Sequence, residues 1–440
     1  MNRRFRLFLL AVCFVVFILI TPAVVFYALG FRPARARVGV LLLESIPSGA
    51  RVLVDGTYQG TTPYTVSGRG GVVVDVAIEH EGYRPWGKRL PLVTGITSEA
   101  RAIRLIPEAV SSEEFVPNTT HFTLSPSRAL VASTEKDTLA VQDEDHDLIL
   151  PPLKLLATPR SLLWSPDSTL LLVSYSNSRF DLISLTEGAR HTLPLPTLAS
   201  PDAIAWDPRT PGKLLFLTSQ KVLRAYDSST GQQHIIAENV SVFSLSKQEI
   251  YIATASQEIR RLTLLGEAVG GPSVKLTRPV ARLITSPEDR TAVWYADGSV
   301  ELLEEDKFQP LVASASSLGF SPDGQLLYIQ TAPNELVVYN ISDERLSHVP
   351  AHRLHLVTRL SQIIRHPQWF AGGQHLIYQV GDQVVLTEID TRDHAQSHVI
   401  DSTNLSDAAV AVGEDGERLY YLKRNPTGVT SLVRARLVLE

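Results

Sequence analysis

His352 and His355, with His366 close behind, are the residues whose spacing most invites a metal ion. A stable site needs three or four converging donors, and no carboxylate or further histidine recurs here at ligand-like spacing. These histidines therefore read as a solvated loop. Glu113-Glu114 and Asp143-Glu144-Asp145 could supply carboxylates for acid–base chemistry, but as runs of like charge they read as exposed edges or loop tips. Trp164 and Trp206 directly precede turns, where a ligand face could use an indole. With Trp86, Trp294 and Trp369 they read instead as wedges between neighbouring repeats. The chain has no Gly-x-Ser-x-Gly elbow, no Walker loop and no dinucleotide fingerprint. A glycosidase-type carboxylate pair drawn from distant segments stays open at this level. No residue is assigned a catalytic, cofactor-binding or metal-ligating role, and no cofactor is expected.

The elements that would position any such group repeat along the chain. Eight short apolar strands run from Leu130-Val131-Ala132 to Leu419-Tyr420-Tyr421-Leu422, spaced by about 34 to 49 residues. Most follow a tight turn, such as Ser125-Pro126-Ser127, Ser165-Pro166-Asp167-Ser168, Asp207-Pro208-Arg209, Ser286-Pro287-Glu288-Asp289 or Ser321-Pro322-Asp323-Gly324. A period of about 40–45 residues is what one four-stranded propeller blade needs. Pro suits the second position of a type I turn and Gly its last. Hairpin signals follow the central strands: Asp297-Gly298, Gly381-Asp382 and Asn334-Glu335, read as two-residue loops.

The Ser-Pro-Asp-Gly signal before a strand resembles the TolB-type and WD-like propeller repeats over residues 111–440. Repeats four, seven and eight lack the Ser-Pro pair. Ala225-Tyr226-Asp227-Ser228-Ser229-Thr230-Gly231 resembles one repeat of quinoprotein-type propellers, but it occurs once and is also a good turn. The final repeat ends after one long strand, Thr430–Leu439, with nothing left to form a fourth, while Glu113–Val116 belongs to no blade of its own. Pairing the two would close the ring and remove an open sheet edge. That gives eight blades, with seven as the alternative.

Residues 38–106 read as a separate all-β unit, with strands at Val38–Leu43, Arg51–Val54, Val72–Ile78 and Ala102–Ile106, and an Asp55-Gly56 turn. Gly82-Tyr83 and Trp86 would cap its small core. Ser45-Ile46-Pro47-Ser48-Gly49-Ala50, Asp55-Gly56, Gly60-Thr61-Thr62-Pro63 and His80-Glu81-Gly82-Tyr83 resemble the PEGA domain, with Ser48 where the family's motif has Glu. The resemblance implies a small β-sandwich of bacterial and archaeal surface and envelope proteins, used as an adhesive or spacer module. It carries no catalytic residues.

Before that unit, Leu7 to Gly30 runs 24 residues without a charge, between Arg3, Arg4 and Arg6 and Arg32, Arg35 and Arg37. As a helix it would span a hydrocarbon core of roughly 30 Å. It exceeds the usual apolar core of a signal peptide, and Ala34-Arg35-Ala36 lies well past it, so an uncleaved anchor is expected. The arginine counts tie and do not set the orientation. A short tail, residues 1–6, ahead of one long downstream region favours a signal anchor at 7–30, with residues 31–440 extracytoplasmic.

The only cysteine, Cys13, lies in this run, so the folded part can form neither a disulfide nor a cysteine-ligated zinc site. A net charge of −5, with 32 scattered Arg and nine Lys, gives no basic stripe for nucleic acid. The sequence thus predicts an all-β, non-enzymatic, single-pass membrane protein of the cell envelope. Its propeller would bind a protein or an envelope polymer. The alternative is a propeller-fold hydrolase or lyase acting on envelope polysaccharide.

Overall fold

The computed structural model describes residues 38–439, apart from 201–202, 271–272, 305, 343–347 and 414–415. The expected tail, residues 1–6, and membrane helix, residues 7–30, lie outside the described residues. Among the described residues there is no helix, and so none long and apolar enough to cross a membrane.

The chain divides into two compact units. In the smaller one, Val38–Ile46 pairs with Tyr64–Arg69 and Thr97–Arg104 in one sheet. Arg51–Val54, Thr57–Thr61, Val72–Glu79 and Trp86–Leu92 form the other. Alternation along Val38–Ile46 buries Leu41 and Leu43, the pattern of a sheet with one covered face. The Pro47-Ser48-Gly49-Ala50 motif has a local physical role. Gly49 takes a positive φ of 81°, which lets its N–H reach Thr62 O at 2.8 Å. Thr62 Oγ1 accepts from Ala50 N at 3.1 Å and shares a hydrogen bond with Ser45 Oγ at 2.7 Å. Ser48 is exposed, so the departure from Glu costs this lock nothing.

The larger unit comprises residues 79–86 and 104–440. Tyr83 therefore groups here instead of capping the small core, and Trp86, which opens a strand of the smaller unit's sheet, is the residue at which the two units meet in the chain. Tyr83 OH accepts from Leu439 N at 2.8 Å, and Trp86 Nε1 donates to Glu388 Oε2 at 3.1 Å. Ile106, expected to end the small unit, packs with Phe370, Leu419 and Leu437.

Eight four-stranded antiparallel sheets follow one another along this unit among the described residues. Seven are consecutive meanders; the second, for example, runs Ser161–Trp164, Leu170–Ser174, Phe180–Ser184, Ala189–Thr192. The eighth is closed by a strand from the start of the unit: Ser111–Val116 pairs with Thr430–Arg436, Glu113 opposite Arg434. The closing strand anticipated from the sequence is thus present, and the count of eight replaces the alternative of seven. Second strands are buried almost throughout, as strands packed on both faces must be.

The Ser-Pro turns owe their residue types to backbone satisfaction. Ser321 is 1% exposed; its Oγ accepts from Leu326 N at 2.9 Å and donates to Asp323 Oδ1 at 2.5 Å. Ser125, Ser165 and Ser286 do the same for Leu130, Leu170 and Arg290. Gly324 N bonds Ser321 O at 2.8 Å with φ at 69°, the left-handed last position of the turn. The fourth repeat keeps this serine, Ser246, without the proline: Oγ accepts from Glu249 N at 2.9 Å. Leaving a buried N–H without a partner costs about 1–3 kcal/mol. Ser321→Ala is therefore expected to lower unfolding stability by that amount and the exposed Ser127→Ala by little, read from denaturant midpoints. Equal midpoints for Ser321→Ala and the parent would remove this role.

Two hairpins differ from expectation: the loop read as Asn334-Glu335 is Pro333-Asn334, with Glu335 already paired to Ala332. Asp297-Gly298 sits in a four-residue loop, because Asp297 Oδ1 accepts from both Ser299 N and Ser299 Oγ and holds an extra turn.

Candidate functional site

Each sheet of the larger unit begins with a strand at one edge, and the first strands of the first and second, the fourth and fifth, and the sixth and seventh sheets adjoin. These eight are His121–Leu124, Ser161–Trp164, Ile204–Trp206, Val240–Leu245, Val280–Thr285, Ser317–Phe320, Ile364–Trp369 and Val410–Val412. Five of them lead into a turn opened by a buried serine, and bonds between strand ends, such as Thr285 Oγ1 to Leu245 O, align neighbours in one direction. No Asp or Glu occurs on any of the eight.

The tryptophans that precede turns hook each sheet to the one before it. Trp164 Nε1 donates to Thr123 O at 3.4 Å, Trp206 to Leu163 O at 3.1 Å, and Trp369 to Gly319 O at 2.8 Å. Their rings are at most 8% exposed, so they are wedges and not ligand platforms. At Gly319 a Cβ would stand 2.8 Å from the Tyr328 ring, so a larger residue there would force that ring to shift. In the fifth sheet Thr285 takes the indole's place: its Oγ1 donates to Leu245 O at 2.7 Å. Sequence reading missed Thr285, because the substitution keeps the donor and discards the ring.

A cavity of about 790 Å³ opens along the first strands of the third, fourth and fifth sheets. Ala205, Val242, Phe243, Ser244 and Ile284 wall it, and Arg282 is the one charged side chain among the described residues of its lining. Arg282 is exposed, its guanidinium 5.7 Å from the Trp294 ring. Its described lining offers apolar surface, hydroxyls and one fixed positive charge.

Several interior carboxylates lie on third or fourth strands, each held by a tyrosine. Tyr175 OH donates to Asp181 Oδ2 at 2.8 Å, Tyr295 OH to Glu301 Oε2 at 2.6 Å, and Tyr421 OH to Asp401 Oδ2 at 2.5 Å. Burial first, and then the adjacent carboxylate, raises all three phenols well above their ordinary range. They remain protonated donors at any physiological pH. The first two pairs share a spacing of six residues, a signal present in the sequence but not read from it.

The other flagged residues resolve into local structure. His355 Nε2 bonds Thr391 Oγ1 at 2.5 Å, and burial lowers its pKa. His366 Nε2 pairs with Asp407. Among the described residues no group of three or more His, Cys, Asp or Glu converges as metal ligands. Asp227 is a turn residue: its Oδ1 accepts from Ser229 N at 2.9 Å and Ser229 Oγ at 2.6 Å, and Gly231 completes the turn at φ 70°. Glu113 and Glu144 lie at an edge strand and a loop, yet both are engaged. Glu113 accepts from Arg434 Nε at 2.8 Å, and Glu144 pairs with Arg418.

Comparison with known proteins separates the two parts of the chain. A search of curated proteins finds no match. Among solved structures, the C-terminal WD40 domain of Sif2 aligns with a TM-score of 0.52 at 13% identity, covering 76% of this chain and 99% of that one. Saccharomyces cerevisiae Sqt1 aligns with a TM-score of 0.50 at 11% identity, covering 74% and 97%. At such identities the likeness is one of fold. Residues 38–102 match the PEGA domain family. The chain carries a PEGA domain followed by a WD40-like β-propeller.

Proposed function

We propose that this protein is a membrane-anchored, extracytoplasmic scaffold of the cell envelope, whose propeller binds a protein or an envelope polymer. The observation that carries the binding function is the lining of the first-strand cavity: apolar and hydroxyl side chains with a single arginine, on strands free of carboxylates. A hydrolase or lyase would need an acid and a base flanking a bond, whereas Asp181, Glu301 and Asp401 are each occupied by a tyrosine, Asp207 by Arg209 and Glu388 by Trp86. WD40-like relatives in fold favour a rigid interaction platform. Anchoring and location are supported by the uncharged run 7–30 and by the PEGA domain.

The test uses the full chain tagged after its last residue. The protein should stay with membranes after alkaline extraction and be cleaved by protease supplied on the extracytoplasmic side. Chemical cross-linking in cells should recover a defined envelope partner. Ala205→Trp fills the cavity and should abolish that recovery without lowering the melting temperature. Release of new reducing ends from envelope polysaccharide by the purified chain would instead establish the enzyme.

A further inference from the structure

The two ends of the ring differ in charge. The turns that end the first strands carry Asp167, Asp207, Glu249, Glu288, Asp289, Asp323 and Glu417 against Arg128, Arg209, Lys247 and Arg290. The opposite end, where the first strands begin, carries His121, Arg160, Arg282, Arg365 and His366. These come from the first, second, fifth and seventh sheets, so they are spread around the ring. His121 and the three arginines are exposed. Arg160 and Arg365 have no side-chain hydrogen bond or ion pair among the described residues, and Arg282 meets only the Trp294 ring. Of the acids in the segments leading into these strands, Asp407 is bound to His366, and the other described one, Glu238, precedes the fourth sheet. The overall charge is negative, so this cationic mouth is a local feature set against the chain's net −5.

Arg282 joins the mouth to the apolar cavity, since it belongs to both. A ligand entering here meets positive charge first and an apolar trough of about 790 Å³ behind it, within the range of sites that take several side chains. A purely anionic polymer would use the arginines and leave the trough empty; a purely apolar ligand would gain nothing from them. We infer that the mouth takes an acidic peptide segment of a partner protein, with an apolar side chain in the trough beside Ala205, Phe243 and Ile284 and a flanking carboxylate on Arg282. This rests on the binding function proposed above and names the chemistry of its partner.

The probe is a short fluorescein-labelled peptide with Leu set among Glu, titrated by anisotropy against the full chain in detergent micelles. Matched peptides with Lys or Gln for Glu, and polyglucuronate as competitor, supply the contrasts. The Glu/Leu peptide should bind, more weakly as salt rises through the range where the Debye length falls below about 8 Å. Arg282→Glu and Ala205→Trp should each weaken it by about tenfold or more, and Arg160→Glu and Arg365→Glu by less, as expected for rim charges. The last two touch no partner, so unchanged melting keeps them interpretable if Arg282→Glu disturbs Trp294. Equal binding of the Lys peptide, or indifference to all three arginine reversals, overturns the inference. Polyglucuronate displacing the peptide residue for residue would mean an anionic polymer and overturn it too. If the cross-linked envelope partner is recovered equally with Arg282→Glu and is not displaced by the acidic peptide, the scaffold function stands and this inference alone falls.

Discussion

Deletion of residues 111–117 opens the ring. The strand Thr430–Arg436 then loses its pairing with Ser111–Val116 from Leu432 to Arg436 and presents a free edge carrying Leu432 and Val433. Phe115, 4% exposed, packs with Val131, Tyr420 and Leu432, so the deletion also removes the apolar contact between the last sheet and the first. Closure joins residues more than three hundred positions apart, and its loss should abolish a single cooperative melting transition. The expected readout is a broadened, early transition and higher-order species on size exclusion; melting with the parent as a monomer would show that the ring closes without this strand. Phe115→Ala is the graded version, expected to cost about 3–5 kcal/mol as a buried aromatic truncation. Glu114→Ala, at an exposed neighbouring position, is the control.

The ionic part of the closure gives the same region a pH dependence. The Arg434 hydrogen bond, and then its charge, hold Glu113 below the ordinary carboxylate range. A carboxyl depressed in the folded state stabilises it above the unfolded pKa of about 4.3 and loses that contribution as pH falls through the folded value. Glu113 is nearly half exposed, so the effect is about 1 kcal/mol or less. Glu113→Gln should therefore lower the urea midpoint at neutral pH and leave the midpoint unchanged once Glu113 is protonated.

Much of this architecture was legible because the propeller repeats its local rules. The Ser-Pro turns announce themselves since each buried serine must satisfy a particular N–H four or five residues on. The unclaimed Glu113–Val116 segment and the incomplete last repeat identified each other by elimination. What could not be read depends on partners far away in the chain. Trp164, Trp206 and Trp369 find their acceptors 41, 43 and 50 residues back, and nothing local shows that Thr285 replaces them. Tyr83 and Trp86 were assigned to the small core by proximity in sequence, whereas their partners Leu439 and Glu388 lie about 300 residues or more downstream. The candidate site is harder still. Its signature is the absence of acid from eight separate strands, which becomes visible only when those strands are brought side by side.

Trp369→Ala is expected to be among the most destabilising single substitutions in the ring. The indole is 8% exposed, edge-on to Tyr328 at 6.1 Å, and belongs to the cluster that joins the sixth and seventh sheets. Truncation leaves a cavity between sheets that cannot collapse independently, at a cost of about 3–5 kcal/mol. Two contributions are mixed in that figure, the ring's packing and the 2.8 Å hydrogen bond to Gly319 O. Trp369→Phe separates them: most of the apolar area remains while the donor is lost, for a cost of about 1–2 kcal/mol. Thr285→Val provides an independent measure of the donor alone, since Thr285 makes the equivalent bond to Leu245 O with almost no ring to lose. It should cost about 1 kcal/mol. Packing dominates if Trp369→Phe falls near Thr285→Val and well short of Trp369→Ala in denaturant unfolding. If Trp369→Phe is as damaging as Trp369→Ala, the hydrogen bond carries the junction and the tryptophans are hooks first and wedges second. Thr285 would then be a full replacement for an indole, and Thr285→Val should destabilise the fourth-to-fifth sheet junction as severely as Trp369→Ala does its own.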